Sequence, residues 1–288
     1  MYGGLNQHLQ NFNILVPEQC GFRKGLSTDN AAYNLTDSIL RAWNKQNYVI
    51  GVFCDLAKAF DCVNHELLLQ KLRFYGIRGV ILDWFNSYSL DRKQRVKLKH
   101  LNAENGFSSW KTIKHGVLQG SVLGPLLFNA AQLVLNVEKT NMVKFALTKF
   151  SHCPLQLTYE GKICTEADNI KFLGLQLDNH RTWKTHMDQL LQKLSTVCFI
   201  MRRLVHVLHT DIHRTVHFAY FHSLVKYDIV FWGNSTHMER VFLLQKRILR
   251  IMMGLGLRCP CKELFKNIDI LRVPCLYFFF NDVCCQQS

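Results

Sequence analysis

The spacing of hydrophobic positions changes several times along this chain, and each change marks a predicted helix or strand. In the segment NAAYNLTDSILRAWNKQ, Leu35, Ile39 and Trp43 recur at helical spacing, which predicts a helix with one apolar face. Ser27 and Thr28 precede it, and such residues favour helix N-termini because their side chains accept hydrogen bonds from backbone N–H groups. We therefore expect a helix that begins close to Thr28.

The following segments predict strands and helices in alternation. YVIGVFCDL is rich in β-branched and aromatic residues, which predicts a buried strand that ends near Asp55. NHELLLQKLRFYG predicts a helix with Asn64 as its N-cap and Gly76 at its end. Beyond residue 80 a helical segment passes into a basic strand. From residue 171 a strand and a turn lead into long amphipathic helices that reach about residue 256.

The net charge of the chain indicates which kind of partner it is expected to bind. The chain has 35 Lys and Arg against 21 Asp and Glu, a net charge of +14. This surplus favours a polyanionic partner such as nucleic acid, and a basic protein without such a partner is the alternative. Residues 171–258 hold 13 basic and 5 acidic residues. His209, His213 and His217 are four apart there, which predicts a solvated or phosphate-facing stripe rather than a metal site.

The cysteines and the apolar runs indicate in which part of the cell the protein is expected. Eleven cysteines are scattered along the chain without a secretory leader, so we expect reduced thiols and an intracellular protein, in the nucleus or the cytoplasm. Cys259 with Cys261, and Cys284 with Cys285, lack the spacing of a zinc knuckle, which makes structural zinc the weaker alternative. No apolar run reaches the roughly 20 residues of a membrane span, so no membrane partner is expected.

Asp55 is the first candidate for chemistry. A carboxylate at the end of a buried strand is costly unless a cation lies beside it. A strand end followed by a tight turn is also a place where divalent ions and phosphates bind, and Phe60 would then lie beside the bound group. On these residues alone, a capped aspartate with a structural role is an equally good interpretation.

Five motifs follow one another along the chain: QCGFRKGLSTDNA, VFCDLAKAFDCVNHELLLQKLRFYGI, HGVLQGSVLGPLLF, LVLNVEKTNMVKF and IKFLGLQLDNHRTWKTHM. Together they closely resemble the reverse transcriptase domain of non-LTR, LINE-type retrotransposons, in particular the Jockey-like branch, over about residues 14–280. The resemblance implies an α+β right-hand polymerase fold with fingers, palm and helical thumb. It also implies an RNA-directed DNA polymerase that extends a DNA primer on an RNA template with Mg²⁺ and deoxynucleotides.

The resemblance assigns roles to particular residues. Asp55 matches the first metal-binding catalytic aspartate of the palm, and Leu56 places a carbonyl beside the second ion. Phe60 matches the aromatic residue that excludes a ribose 2′-hydroxyl. The nucleotide site is matched by Arg23, Gln119 and Gly120. The primer grip is matched by Phe172, Leu173 and Gly174. The basic thumb is matched by Arg202, Arg203, Lys246 and Arg247.

The family pattern breaks in the palm. By the resemblance, the other catalytic acids belong to an Ala-Asp-Asp hairpin several tens of residues after GPLLF. Here only NAAQ separates Phe128 from LVLNVEKT, and the sequence contains no Asp-Asp pair. Three acids remain as substitutes, and each has a structural interpretation. Asp61 is interpreted as a helix cap, the EADN segment around Asp168 as a loop before the primer grip, and Asp178 as a turn residue.

We therefore expect three regions. Residues 1–170 form the fingers and palm, with an incomplete sheet and an internal deletion after Phe128; residues 171–260 form the primer grip and basic thumb; residues 261–288 form a truncated C-terminal extension. Because two metal-binding acids are missing, this copy is expected to be catalytically defective. A nucleic-acid-binding remnant is one alternative, and an unstable pseudogene product is another, since a lost palm hairpin exposes strand edges.

Overall fold

The computed structural model describes residues 2–16, 18–56, 60–98, 106–118, 120–130, 135–146, 157–159 and 161–287. Helices and small sheets are mixed throughout this part of the chain, which confirms the expected α and β content. The helices are α1 (Tyr2–Asn11), α2 (Thr28–Asn44), α3 (His65–Phe74), α4 (Val80–Ser89), α5 (Gly124–Ala130), α6 (Lys184–Leu204), α7 (Thr210–Val216), α8 (Ser223–Lys226), α9 (Ile229–Trp232), α10 (Met238–Met252), α11 (Lys262–Asn267) and α12 (Val273–Gln287). A π-helical turn, His217–His222, joins α7 to α8.

The strands are short, apart from the first and the sixth. They are β1 (Val49–Leu56), β2 (Lys93–Gln94), β3 (Lys97–Leu98), β4 (Gly106–Phe107), β5 (Lys111–Thr112), β6 (Leu135–Phe145), β7 (Thr158–Tyr159), β8 (Lys162–Ile163), β9 (Thr165–Glu166), β10 (Asn169–Phe172) and β11 (Leu175–Asp178). The chain divides into two compact units. The first unit is Met1–Ser38, Gly51–Met142 and Pro154–Glu166, and the second is Ile39–Ile50, Val143–Cys153 and Ala167–Ser288.

The core of the first unit is a cluster of apolar side chains from α1, α3, α4 and α5. Leu68 and Leu72 are one turn apart on α3, and both are fully buried in this cluster together with Phe85 and Leu127. Burial of one such side chain contributes about 1.5–3 kcal/mol. The cluster therefore fixes α3 and α5, and with them the turn that precedes α3.

Three predicted helix boundaries of this unit are confirmed. The Asn64 side chain accepts hydrogen bonds from the N–H groups of Glu66 and Leu67, at 2.9 and 3.1 Å. Gly76 follows the end of α3 with a φ of +88°, which glycine adopts without the steric cost of a Cβ atom. The Ser27 hydroxyl accepts a hydrogen bond from the N–H of Asp29, as expected at the start of α2.

The largest sheet has three strands in the order β1, β6, β9. Strand β9 runs parallel to β6, with Asn141 opposite Thr165 and Met142 opposite Glu166. Glu166 of the EADN segment therefore belongs to a strand, and the expectation of a loop there is wrong for this residue. The expected burial of β1 is also wrong, because Cys54 and Asp55 are exposed.

The second unit is built on the contact between α6 and α10. Both helices have amphipathic sequences, and their apolar faces meet, since Met187, Leu194 and Met201 of α6 and Ile248 of α10 are fully buried. The antiparallel hairpin β10–β11 packs on α6. No helix among the described residues has both the length and the apolar character that crossing a bilayer requires.

The expected histidine stripe is wrong in the second unit. His209 is exposed, but His213 and His217 are buried, at 3% and 0% exposure. The His217 ring stacks on Phe221 with ring centroids 5.3 Å apart. Burial, followed by the positive charges of His222 and Arg214, lowers the pKa of His217 to about 4. Both rings therefore belong to the core, and the His217 ring does so as a neutral group.

Candidate nucleotide and metal site

Asp55 is the next-to-last residue of β1, and its side chain is 49% exposed. Strand β6 lies next to β1 in the sheet, and the Nζ atom of Lys139 on β6 is 3.8 Å from Asp55 Oδ2. A cation therefore accompanies this carboxylate. The cation is a lysine of the strand that follows the site of the expected deletion.

The residues that the structure describes do not fit a pair of magnesium ions. Two such ions bind about 4 Å apart and need several oxygen ligands from different parts of the chain. Among the described residues, no group of three His, Cys, Asp or Glu side chains is arranged to hold a metal ion. At Asp55 the described neighbour is an ammonium group, which competes with a metal ion for the carboxylate instead of sharing the ion with it.

The other acids considered from the sequence have different positions. Asp178 ends β11, and its carboxylate accepts hydrogen bonds from the N–H groups of Thr182 and Trp183, both at 2.8 Å. Asp178 therefore has the expected structural role, but it lies at the end of the strand and not in the turn. Asp61 lies in the turn before α3 and does not cap the helix, because Asn64 does. Asp168 lies between β9 and β10 and is exposed.

Phe60 lies in a group of aromatic rings in the first unit. Its ring stacks on Phe128 of α5, with centroids 4.7 Å apart, and Phe22 meets it edge-on at 5.9 Å. The rings of Phe22 and Phe60 border a cavity of about 540 Å³, which is large enough for a small organic ligand. Its lining residues are Phe22, Phe60, Gly120, Ser121, Val122 and Pro125.

Backbone hydrogen bonds hold the two sides of this cavity together. Phe60 and Val63 accept hydrogen bonds through their carbonyl oxygens from the N–H groups of Val117 and Gly116, both at 2.8 Å. Gly116 has a φ of +94°, and a Cβ atom there would lie 3.2 Å from the Asp61 backbone. A glycine is thus required for this close approach, and the contact brings Gly120 to the cavity that Phe60 borders.

The remaining nucleotide-site candidates are placed unevenly. Arg23 follows Phe22 of the cavity, and one of its terminal nitrogens donates a hydrogen bond to the carbonyl oxygen of Val16 at 2.9 Å. Leu56 is the last residue of β1 and half-buried. Gln119 lies outside the described residues. The sequence interpretation missed Phe22 and Phe128, although both stand inside the quoted motifs.

The predicted primer grip forms a tight hairpin. Phe172 and Leu175 are opposite each other, so Leu173 and Gly174 are the two turn residues, with φ values of +47° and +97°. Positive φ at both positions is typical of a type I′ turn, which suits the twist of antiparallel strands. His186 of α6 accepts a hydrogen bond through Nδ1 from the N–H of Gln176 at 3.3 Å, which joins the hairpin to α6.

The four basic thumb candidates lie on the two packed helices. Arg202 and Arg247 both act electrostatically on the thiol of Cys198, whose pKa burial raises to about 11. Arg203 lies over the ring of Phe199, and the Lys246 ammonium group is 4.2 Å from the centroid of Phe242. The structure therefore brings Arg202 and Arg247 near one buried residue, whereas Arg203 and Lys246 contact aromatic rings of their own helices.

Comparisons with known proteins show what the chain is similar to. Residues 4–134 match the family "Reverse transcriptase (RNA-dependent DNA polymerase)". A probable RNA-directed DNA polymerase from transposon BS of Drosophila melanogaster is 26% identical over 89% of this chain and 34% of its own length. The corresponding protein from the X-element of the same species is 22% identical, over 93% and 35%.

The polymerase of the mobile element jockey from Drosophila melanogaster is 22% identical over 88% of this chain and 33% of its own length. The chain thus spans about a third of the curated relatives that it matches. Each of these alignments covers more positions than the 288 residues of the chain, up to 329, so the relatives contain segments without a counterpart here. The chain carries a reverse transcriptase domain and is homologous to the RNA-directed DNA polymerases of non-LTR retrotransposons.

Proposed function

We propose that this chain is a reverse transcriptase core of the right-hand type that engages nucleic acid but does not polymerise. In this proposal, fingers and an internally deleted palm precede a primer-grip hairpin and a basic thumb. RNA template and DNA primer are its partners. The observation that carries the proposal is the pair formed by Asp55 and Lys139, 3.8 Å apart, where a polymerase needs further carboxylates.

The chemistry of nucleotidyl transfer explains why a lysine beside Asp55 is incompatible with catalysis. One metal ion activates the primer 3′-hydroxyl, and the other stabilises the charge on the leaving pyrophosphate. The ions need carboxylates that face each other across neighbouring strands. Here β6 is the neighbour of β1, and it presents Lys139 to Asp55. A single exposed carboxylate beside an ammonium group holds at most one ion weakly.

The comparisons support the deletion in two ways. The family match ends at residue 134, six residues after Phe128, which is where the family pattern breaks. The alignments with the Drosophila polymerases contain more positions than this chain has residues. Both observations agree with a palm segment that the relatives have and this chain lacks.

Retained nucleic-acid binding is favoured by the basic second unit. The thumb candidates Arg202 and Arg247 both lie near Cys198, and contacts between such side chains and phosphates do not depend on the nucleotide sequence. The cavity bordered by Phe22 and Phe60 and the tight hairpin at Leu173 and Gly174 support the proposed contacts to a nucleotide and to a primer. The proposal therefore separates binding, which is kept, from catalysis, which is lost.

A primer-extension assay tests the catalytic part of the proposal. Purified protein is incubated with a labelled DNA primer on an RNA template, with deoxynucleotides and Mg²⁺ or Mn²⁺. We expect no extension, and a gel-shift assay on the same primer–template should still show binding. Extension by the wild-type protein that is lost in Asp55→Ala would overturn the proposal. A cooperative thermal transition of the same sample would contradict the alternative of an unstable product.

A further inference from the structure

The first unit contains an exposed two-stranded ribbon that none of the preceding roles uses. Its segments are residues 92–98 and 106–113. Lys93 and Gln94 pair antiparallel with Thr112 and Lys111, and β3 pairs antiparallel with β4. A hydrogen bond of 2.8 Å from the N–H of Ile113 to the Arg92 carbonyl oxygen closes its base.

A bulge decides which side chains share a face of this ribbon. Lys97 is opposite Phe107, and Gln94 is opposite Lys111. Two residues of the first segment therefore face three of the second. Phe107 and Trp110 are three positions apart, and in a regular strand they would project to opposite faces. The extra residue places both rings on the same face as Arg95.

On that face, a guanidinium group lies between two aromatic rings. The Cζ atom of Arg95 is 4.2 Å from the centroid of Phe107 and 4.6 Å from that of Trp110. The ammonium group of Lys97 is 5.5 Å from the Phe107 centroid. Phe107 and Trp110 remain 49% and 58% exposed. Arg95 thus orients both rings and leaves much of their surface accessible.

The charge of the ribbon is strongly positive. Residues 92–114 contain seven Lys and Arg and one acid, Glu104. Lys93, Arg95 and Lys97 alternate along the first segment and project to one face, which is the face of Phe107 and Trp110. Cations that follow a strand beside exposed rings have the complementary arrangement to a nucleic-acid strand, which alternates anionic phosphates with flat bases.

We propose that this face, formed by Lys93, Arg95, Lys97, Phe107 and Trp110, binds single-stranded nucleic acid. Bases stack on the exposed surfaces of the two rings. The two lysines and the uncovered N–H edge of Arg95 bind the flanking phosphates. The proposal concerns a surface of the first unit and depends neither on the basic thumb nor on the palm.

Single strands fit this face better than a duplex does. Stacking on Phe107 and Trp110 requires unpaired bases, because the bases of a duplex already stack on one another and expose only their edges. A ribose and a deoxyribose strand offer the same phosphates and stacking surfaces. The surface is therefore expected to accept both, and the measurement must include both.

Fluorescence anisotropy with labelled oligo(U) and oligo(dT) tests the proposal. The variant Phe107→Ala/Trp110→Ala is expected to weaken binding of both by about tenfold or more, since each base–aromatic stack contributes substantially. Phe74→Ala is the matched control, because Phe74 is an aromatic residue of the same unit that is 86% exposed. It should leave the affinity unchanged. Duplex DNA should bind with little difference between these variants.

The cations have a matched pair of variants. Lys97 is on the proposed face, whereas Lys111 pairs with Gln94 and projects to the other face. Lys97→Ala should reduce the slope of log affinity against log salt by about 0.7, and Lys111→Ala should change it less. Oligo(dT) should quench the fluorescence of Trp110. The variant Trp110→Phe should lose this quenching and keep most of the affinity for oligo(dT).

Two results would overturn the proposal. One is an unchanged single-strand affinity in Phe107→Ala/Trp110→Ala, with a thermal transition like that of the wild type. The other is an equal loss in Phe74→Ala. A second protein, with Arg202, Arg203, Lys246 and Arg247 of the thumb changed to Glu, separates the two surfaces. If only this thumb variant loses binding, the ribbon surface is excluded and the nucleic-acid proposal for the thumb stands. If only the ribbon variants lose it, the reverse holds.

Discussion

The hydroxyl of Tyr227 donates a hydrogen bond to the carbonyl oxygen of Leu173, and its ring lies against Gly174. The first residue lies just after α8, and the other two form the turn of the β10–β11 hairpin. This contact joins the predicted primer grip to the helices of the second unit. It also leaves no space for a side chain at position 174.

Gly174→Ala is expected to destabilise the protein by roughly 1–3 kcal/mol. A Cβ atom at Gly174 would lie 2.9 Å from Cε1 of Tyr227, and φ is +97°, so steric overlap and backbone strain act together. Chemical denaturation of both proteins gives the difference in the free energy of unfolding. Gly254→Ala is the matched control, because Gly254 has a φ of +64° and a Cβ atom there would have no heavy atom within 4 Å.

The control separates the two causes. If Gly254→Ala costs as much as Gly174→Ala, strain alone accounts for the loss, and the ring contact contributes nothing. The double variant Gly174→Ala/Tyr227→Ala should recover the steric part relative to the sum of the single variants.

Asp55→Asn is expected to change stability by at most about 1 kcal/mol, because its pair with Lys139 is exposed to solvent and screened. Millimolar Mg²⁺ should not shift the thermal transition of either protein by a measurable amount. A clear Mg²⁺-dependent stabilisation that Asp55→Asn removes would show a competent metal site and contradict the proposed loss of catalysis.

The variant Lys139→Glu should be stabilised by Mg²⁺, in contrast to the wild-type protein. It replaces the competing ammonium group by a second carboxylate on the strand next to Asp55, so that two acids face each other. Without metal, the like charges should lower stability slightly. Added Mg²⁺ should then stabilise the variant, by about 0.4 kcal/mol when its concentration equals Kd. The double variant Lys139→Glu/Asp55→Asn should show a smaller response to Mg²⁺, and an equal response would mean that the ion binds elsewhere.

Charge reversal on the thumb should weaken binding to a primer–template. The variant changes four residues to Glu: Arg202, Arg203, Lys246 and Arg247. Affinity at physiological salt should fall by more than tenfold, and the salt dependence should become shallower because fewer counterions are released. A control that reverses four other exposed cations of the same unit carries the same net charge: Lys184, Arg258, Lys262 and Lys266.

The control decides whether position or total charge matters. An equal loss of affinity in the two variants would mean that binding follows net charge alone, and the thumb assignment would then be wrong. Anisotropy at several salt concentrations measures both the affinity and its slope.

His217 should contribute to acid sensitivity. Its pKa in the folded protein is about 4, against 6.5 for an unburied histidine, because burial disfavours the charged ring. The unfolded chain therefore takes up a proton between pH 6.5 and 4 while the folded protein does not. Stability contributed by the neutral ring is full above pH 6.5 and falls towards pH 4, by up to about 3 kcal/mol.

His217→Phe should flatten this acid limb in denaturation curves measured across that range. The replacement keeps the stacking on Phe221 and has no group that takes up a proton. His206→Phe is the control, since His206 is an exposed histidine of the same unit. A limb of unchanged steepness in His217→Phe would show that other groups cause the acid sensitivity.

The sequence by itself determined the features that depend on near neighbours. Asn64 caps α3, Gly76 follows its end, and the turn at Leu173 and Gly174 joins two strands, because each depends on the conformational preferences of a few adjacent residues. The order of the motifs, including the break after Phe128, is likewise a property of the chain alone. These features indicated the reverse transcriptase family.

Only the tertiary structure decided what each side chain meets. The same helical spacing that predicts a solvated stripe at His213 and His217 also suits a buried face, and only packing shows which face is covered. Lys139 is 84 positions from Asp55, and the pairing of β6 with β1 brings them together. Arg95 lies between two rings because of a one-residue bulge. Contacts between segments far apart in the chain produce these results, and the pattern of neighbouring residues does not show which distant segment a side chain will meet.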